Sequence, residues 1–475
     1  MRRIIVAVLL ALASGGPTAA AKPAFDVGKF VPPDAVVYVT ADGLGAVEGA
    51  AGTFLDNVMP GAGQILDGML LGRAPAIAAV DRTRPVAAWM LASGATVVAL
   101  PVRDAATFTR LARQGIGPGE AVTTVDGYEI VTRGGAFDPA AAGVQRSAAP
   151  PAIAGQVRGF VELGRVMAAR SDAKERADLT PLVGRLEDLP RIDFALAASH
   201  ERLELNAIIP AGADGVLAKL ARPALPAIQN RFLDALPADA ALVVATSAPE
   251  RMAAVSEAVF ASLAVHERLG SKEHRMARRM RRQAKRWTAL SRGDSAMAMS
   301  MSSGPESISV VQAYSCFQPR RARILMHKMT RHLPRTPGAT PFDVKYVARV
   351  EQIGDVAVDQ LMVGPPAGTG LMREPIRYAF VNEAAVTTYG ADGLGRMRTA
   401  LAGIGRGVTA PEIEKAIPAG ALLAVAVRPG AFASAAASGD EYATFAVVPR
   451  GTALDVRLIV PAAALPRGPG LFGLR

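Results

Sequence analysis

The chain has 475 residues, 50% of them hydrophobic, 5% aromatic and 20% charged, with a formal net charge of +11. This composition excludes a disordered, collagen-like or low-complexity chain. A single cysteine excludes an intramolecular disulfide framework and a cysteine-based zinc site.

In chain order, the first element is an export signal. Arg2 and Arg3 form a positive n-region, Ile4 to Ala13 an apolar run, and Thr18-Ala19-Ala20-Ala21 a small-residue cleavage site after Pro17. The pattern predicts a signal peptide over residues 1–21, cleaved after Ala21. The run is too short to span a bilayer, and no cysteine stands at the site to carry a lipoprotein anchor. The mature protein is therefore expected in a periplasm or outside the cell. In that oxidising compartment Cys316 is expected as a buried thiol.

Strand and turn signals follow. Val31-Pro32-Pro33-Asp34-Ala35-Val36-Val37-Tyr38-Val39 aligns with Leu236-Pro237-Ala238-Asp239-Ala240-Ala241-Leu242-Val243-Val244, and both align with Ile417-Pro418-Ala419-Gly420-Ala421-Leu422-Leu423-Ala424-Val425. Proline opens each segment where no ladder N–H is needed, and an apolar run then enters a sheet. The turn Ala41-Asp42-Gly43-Leu44-Gly45 recurs as Ala391-Asp392-Gly393-Leu394-Gly395. It is expected as a strand-to-helix turn, with Asp capping and Gly supplying a positive φ; the alternative is an anion site at a helix N-terminus. Val86 to Val102 is uncharged but broken by Ser93-Gly94, which predicts two strands and a turn. Hairpins are predicted at Ala121–Val125 with Tyr128–Thr132, Ile192–Ala198 with Leu203–Ile209, Lys345–Ile353 with Val356–Val363, and Tyr442–Val448 with Thr452–Val460.

These repeats predict an α+β fold, with antiparallel sheets packed against helices. They divide the chain into two related halves, 22–230 and 231–475, with Val36 and Leu242 at equivalent positions.

The strand openings Val31-Pro32-Pro33-Asp34-Ala35 and Leu236-Pro237-Ala238-Asp239-Ala240 resemble the leading strand of an exported bacterial family whose members begin Leu-Pro-Ala-Asp-Thr. Thr96-Val97-Val98-Ala99-Leu100-Pro101-Val102-Arg103-Asp104 is similar to its pattern as well. The resemblance covers about half the chain. It implies an exported α+β protein without catalytic character and supplies no site residues.

The charge is concentrated. Residues 267–335 hold 16 Lys/Arg and 4 Asp/Glu, a net of +12; the rest holds 37 and 38, a net of −1. The stretch from about 249 to 335 is predicted as a basic helical insertion in the second half. In it, Met276, Met280, Trp287 and Leu290 share one helical face. Arg275, Arg278, Arg279, Arg281, Arg282, Lys285 and Arg286 cover much of the rest and, with Trp287, form the candidate anionic-surface site. Three readings are open: a solvated helical hairpin, a helix lying on an anionic membrane surface or acidic envelope polymer, and a nucleic-acid surface. Export argues against nucleic acid as a partner.

No catalytic, metal or cofactor motif survives its context. Ser171-Asp172-Ala173-Lys174 has no K-T-G partner. Gly468-Pro469-Gly470-Leu471-Phe472-Gly473 has no room for a helix behind it. His266-Glu267 lacks its second histidine, and His327 and His332 are five apart, off a common helical face. The expected role is binding or scaffolding at the cell envelope without catalysis. The alternative is a periplasmic carrier of lipid or another apolar ligand, motivated by a mean hydropathy of +0.24.

Overall fold

The protein is described from a computed structural model. The described residues are 27–58, 75–113, 120–135, 137–138, 153–170, 189–211, 215–221, 230–247, 282, 286, 289–290, 293–301, 308–332, 343–364, 375–390, 392–404, 406, 408–432 and 441–465.

Strand β1 (Ala35–Ala41) leads into helix α1 (Leu44–Val58). Strands β2 (Val86–Leu91) and β3 (Thr96–Pro101) precede α2 (Ala105–Arg113). The hairpin β4 (Glu120–Val125) and β5 (Tyr128–Arg133) is followed by β6 (Val157–Glu162), α3 (Leu163–Arg170), β7 (Arg191–Ala198), β8 (Arg202–Pro210) and α4 (Gly215–Ala221). Beyond it come β9 (Leu242–Thr246), β10 (Ser295–Met301), β11 (Ile308–Ser315) and α5 (Pro319–His332). Then follow β12 (Asp343–Ile353), β13 (Val356–Gly364), β14 (Ile376–Val381), β15 (Ala384–Gly390), α6 (Gly393–Gly403) and α7 (Pro411–Ala416). β16 (Leu423–Val427), β17 (Ala443–Pro449) and β18 (Ala453–Pro461) complete the sheet. This is an α+β architecture, and all named strand pairs are antiparallel.

The hairpins lie where the turn residues put them. At the β4–β5 turn, Asp126 and Gly127 carry φ of 52° and 76°, as a two-residue turn matched to strand twist requires. In the second Ala-Asp-Gly-Leu-Gly turn the Asp caps the helix as expected, but the positive φ does not fall on a glycine of the motif. Asp392 itself takes the left-handed backbone, φ 53°, and its carboxylate accepts from the Gly395 N–H at 3.2 Å. Gly43 is needed for space: a Cβ there would lie 2.8 Å from the Arg82 carbonyl oxygen. The two turns follow β1 and β15, which hold different places in the sheet, so this repeat is local.

Among the described residues, all eighteen strands join one sheet. Its centre is the β8–β18 pair. Outward from β8 the order is β7, β6, β1, β2, β3, β5, β4. Outward from β18 it is β17, β16, β9, β10, β11, β15, β14, and then β13 and β12. The registers match as well. Val37 lies opposite Met90 and Val161; Leu242 lies opposite Met299 and Val427. Val37, not Val36, therefore stands where Leu242 stands.

The basic stretch 249–335 is not a helical insertion throughout. Ser295–Met301 and Ile308–Ser315 are strands β10 and β11, paired with β9 and β15 inside the sheet. The reason is period-two alternation: Ala296, Ala298 and Ser300 are buried, while Met297 and Met299 are half-buried on the other side.

Cross-strand partners share a face, so the registers divide the sheet into two faces, named here by Tyr38 and Phe194. On the Tyr38 face, Met397 and Ala400 of α6 and Ile413 of α7 pack over Val243, Ala298 and Val386. The far end of that face is filled by Tyr38, Trp89, Phe160 and Ile130 with Phe30.

Candidate functional site

Among the described residues, the Phe194 face is the one that lacks a complete cover. Near β1, Leu44 and Val47 of α1 and Phe108 of α2 pack with Val86, Val157 and Val131. Farther along α1, Phe54 meets Leu203, Val460 and Ala462, and Asn57 Nδ2 donates to the His200 carbonyl at 2.8 Å. Leu217 and Leu220 of α4 close over Ile209, Leu454 and Val447. On the distant side of the second run, Ala322 of α5 packs with Tyr314, Ala385 and Phe380.

Between these covers lies a continuous apolar floor. Leu205 pairs with Leu458, Ala207 with Val456, Phe194 with Ala207, and Phe445 with Leu458. The floor continues through Val425 and Val244 to Met297. None of these residues belongs to the clusters under the helices, and all are half-buried or, as with Leu205, exposed. The central strands β8 and β18 carry polar residues on their reverse side, where Glu204, Asn206, Asp455 and Arg457 alternate with the floor residues, while the reverse side of β16, β9 and β10 is the core under α6 and α7. Arg457 and Arg450 both pair with Asp455, at 3.1 and 2.6 Å. The four central strands of the floor, β7, β8, β18 and β17, at about 4.8 Å spacing make a strip roughly 15–20 Å wide, large for exposed apolar surface on a monomer.

The register gives this floor a local two-fold relation. Phe194 and Phe445 stand at matching places, each one strand out from the central pair. Their neighbours differ. Phe194 leans on Gly159, where a Cβ would lie 2.7 Å from its Cζ; the place of Gly159 is held by Val425 beside Phe445.

A basic corner adjoins the outer part of the second run. Of the sequence-predicted residues, Arg282 and Arg286 are helical and exposed. Arg275, Arg278, Arg279, Arg281, Lys285 and Trp287 lie outside the described residues, as do the leader, Ser171 to Lys174, His266-Glu267 and the terminal glycine motif. Leu290 packs with Tyr314, Cys316 and Phe380, and its carbonyl accepts from the Phe317 N–H at 3.0 Å. Helix α5 starts beside it and adds Arg320, Arg321 and Lys328, all exposed. Its inner side is fixed by Arg323, whose Nε donates to Asp359 Oδ2 at 2.7 Å. Asp359 is fully buried and also accepts from the Tyr346 hydroxyl at 2.7 Å and the Arg349 N–H at 2.9 Å. Burial, and then the bond to that carboxylate, pushes the Tyr346 phenol well above its usual range.

Cys316 is buried, and burial raises its thiol above the usual value, which disfavours the reactive thiolate. Among the described residues no three His, Cys, Asp or Glu side chains gather as a metal site, and no helix is long and apolar enough to cross a membrane. The latter says nothing of strands.

No family model and no curated protein matches the chain. Among solved structures, crystal form I of TP0453 is 15% identical, with a TM-score of 0.23, covering 41% of this chain and 82% of that one. Crystal form III of TP0453 is 9% identical, with a TM-score of 0.25, covering 53% and 97%. Scores of this size support no inference about this chain.

Proposed function

We propose that the mature protein acts outside the cytoplasm as a non-enzymatic binding protein whose ligand is a lipid or similar apolar chain laid on the Phe194 face. The observation that carries this is the apolar floor from Phe194 through Leu205, Leu458 and Phe445 to Met297, half-buried or exposed at every position although its outer strands already bury a core on their other face. Each methylene covered there is worth about 0.8 kcal/mol, so a chain of about ten methylenes offsets the several kcal/mol cost of association. The Arg2 to Ala21 leader pattern supports export. We further propose that the halves 22–230 and 231–475 are copies of one unit, with the β12–β13 hairpin added to the second; the matched strand order and register support this.

Titration with a fluorescent fatty acid, alongside native mass spectrometry of the purified protein, tests the ligand reading. Saturable fluorescence and co-purified lipid are expected. Val456→Asp, at a half-buried floor position, should weaken probe binding at least tenfold, because an unpaired carboxylate on an apolar floor must stay hydrated. A protein that carries no lipid and leaves the probe unbound overturns the reading.

A further inference from the structure

We propose that the outward stripe of α5, with Phe317 just before it, is a docking surface for an anionic phospholipid bilayer. This goes beyond the ligand reading and does not depend on it. Phe317 is 44% exposed and Ile324 56%, unusual for large apolar side chains in this protein. Arg321, Ile324 and Lys328 are spaced i, i+3, i+7 and share one helical face, with Arg320 flanking Ile324. Arg320, Arg321 and Lys328 form no ion pair among the described residues. The stripe cannot rotate inward, because the opposite side of α5 is held by buried Ala322 and Leu325 and by the Arg323–Asp359 pair.

The surroundings keep the corner positive. Arg282 and Arg286 are helical and exposed, and farther along the chain the Leu290 carbonyl receives the Phe317 N–H. The turn before α5 is tied down through backbone alone, the Asp294 and Glu383 carbonyls accepting from the Ser315 and Cys316 N–H groups. Arginine and lysine heads suit lipid phosphates, while Phe317 and Ile324 suit the acyl boundary just beneath them. A solvated helix has no use for the two apolar groups, and an acidic polysaccharide would use only the cations.

Co-sedimentation with phosphatidylcholine vesicles, with and without phosphatidylglycerol, at low and high salt tests this. The full-length protein should bind the anionic vesicles alone and lose them as salt rises. Arg320→Gln/Arg321→Gln/Lys328→Gln should weaken binding about 100-fold, from about fivefold per cation. Phe317→Ser/Ile324→Ser should weaken it about tenfold and keep the salt dependence. Thermal melts of both variants should match wild type, because the changed side chains are exposed. Inorganic phosphate at matched ionic strength should not compete, which separates a bilayer from a free anion. Fatty-acid titration without vesicles should be unchanged in both variants, so failure here is distinct from failure of the ligand reading. Equal binding to neutral vesicles, or wild-type binding by either variant, overturns the proposal. So does capture by dextran sulfate that the serine variant leaves intact while anionic vesicles are ignored.

Discussion

The two runs of strands use one frame and fill it oppositely. On the Tyr38 face, Tyr38, Trp89 and Phe160 in the first run hold the places of Val243, Ala298 and Ala426 in the second. On the Phe194 face the sizes reverse: Ala88 and Gly159 hold the places of Met297 and Val425. Under α6 and α7 on the Tyr38 face, small residues such as Ala298 and Ala426 let the helices approach; on the Phe194 face, Gly159 makes room for the Phe194 ring. Side-chain size here reports what covers each face, because interiors fill to a fixed density.

The strongest way to break that pattern is to exchange sizes across it. Trp89 is 1% exposed and meets Phe137 edge-on, with centroids 5.5 Å apart. Trp89→Ala should cost about 3–5 kcal/mol, as large-to-small changes of core aromatics do. Ala298→Trp should also destabilise, by about 1–3 kcal/mol or more, since α6 leaves no room above it. Urea midpoints with unchanged slopes would establish both. Wild-type stability in Trp89→Ala would mean that the first run does not rely on its aromatic filling.

A smaller effect is expected on the other face. Gly159→Val introduces a Cβ that collides with the Tyr38 carbonyl oxygen and lies 2.7 Å from Phe194 Cζ. It should cost about 1–3 kcal/mol through displaced packing. The converse change, Val425→Gly, should cost about 1 kcal/mol, because Val425 is half-buried and no clash is relieved. Equal costs in the two variants would show that Phe194 and Phe445 have the same surroundings after all.

Much of this frame was legible beforehand. The Asp126-Gly127 and Gly354-Asp355 turns, each set between alternating residues, placed their hairpins within a residue or two. β10 and β11 were not legible as strands. Alanine and methionine favour helices by propensity, and the flanking arginines made the whole stretch look helical; only burial in the sheet selects the alternate period. The floor was beyond reach for another reason. Leu205 and Leu458 are neighbours only through the β8–β18 pairing, and nothing local in either strand announces a partner so distant in sequence. The basic corner was half visible: the charge of the segment was plain, but the approach of Leu290 to the start of α5 depends on the bond between Leu290 and Phe317.

The mildest contrast between the runs lies in the repeated strand opening itself. Asp239 is gripped by Arg396 through two bonds, at 2.9 and 2.8 Å, and also accepts from the Ser300 hydroxyl at 3.0 Å. Hydrogen bonding from Arg396, ahead of the Ser300 bond, holds its carboxyl below the usual carboxylate range. Asp34, its counterpart after Pro32-Pro33, is exposed in a turn. A carboxyl depressed in the folded state adds stability above its unfolded value near 3.8, and this is lost as pH falls through the lower folded value. The Asp239 side chain is 60% exposed, so solvent screens the pair and its worth is held to about 1 kcal/mol or less. Asp239→Asn should therefore lower the melting temperature slightly at neutral pH and leave it unchanged in acid below the folded value, where wild type has lost the same contribution. Asp34→Asn should have a smaller effect at neutral pH than Asp239→Asn. Melting curves of the two variants across that range would decide it: identical pH profiles would mean that the Arg396 grip adds nothing to the second run.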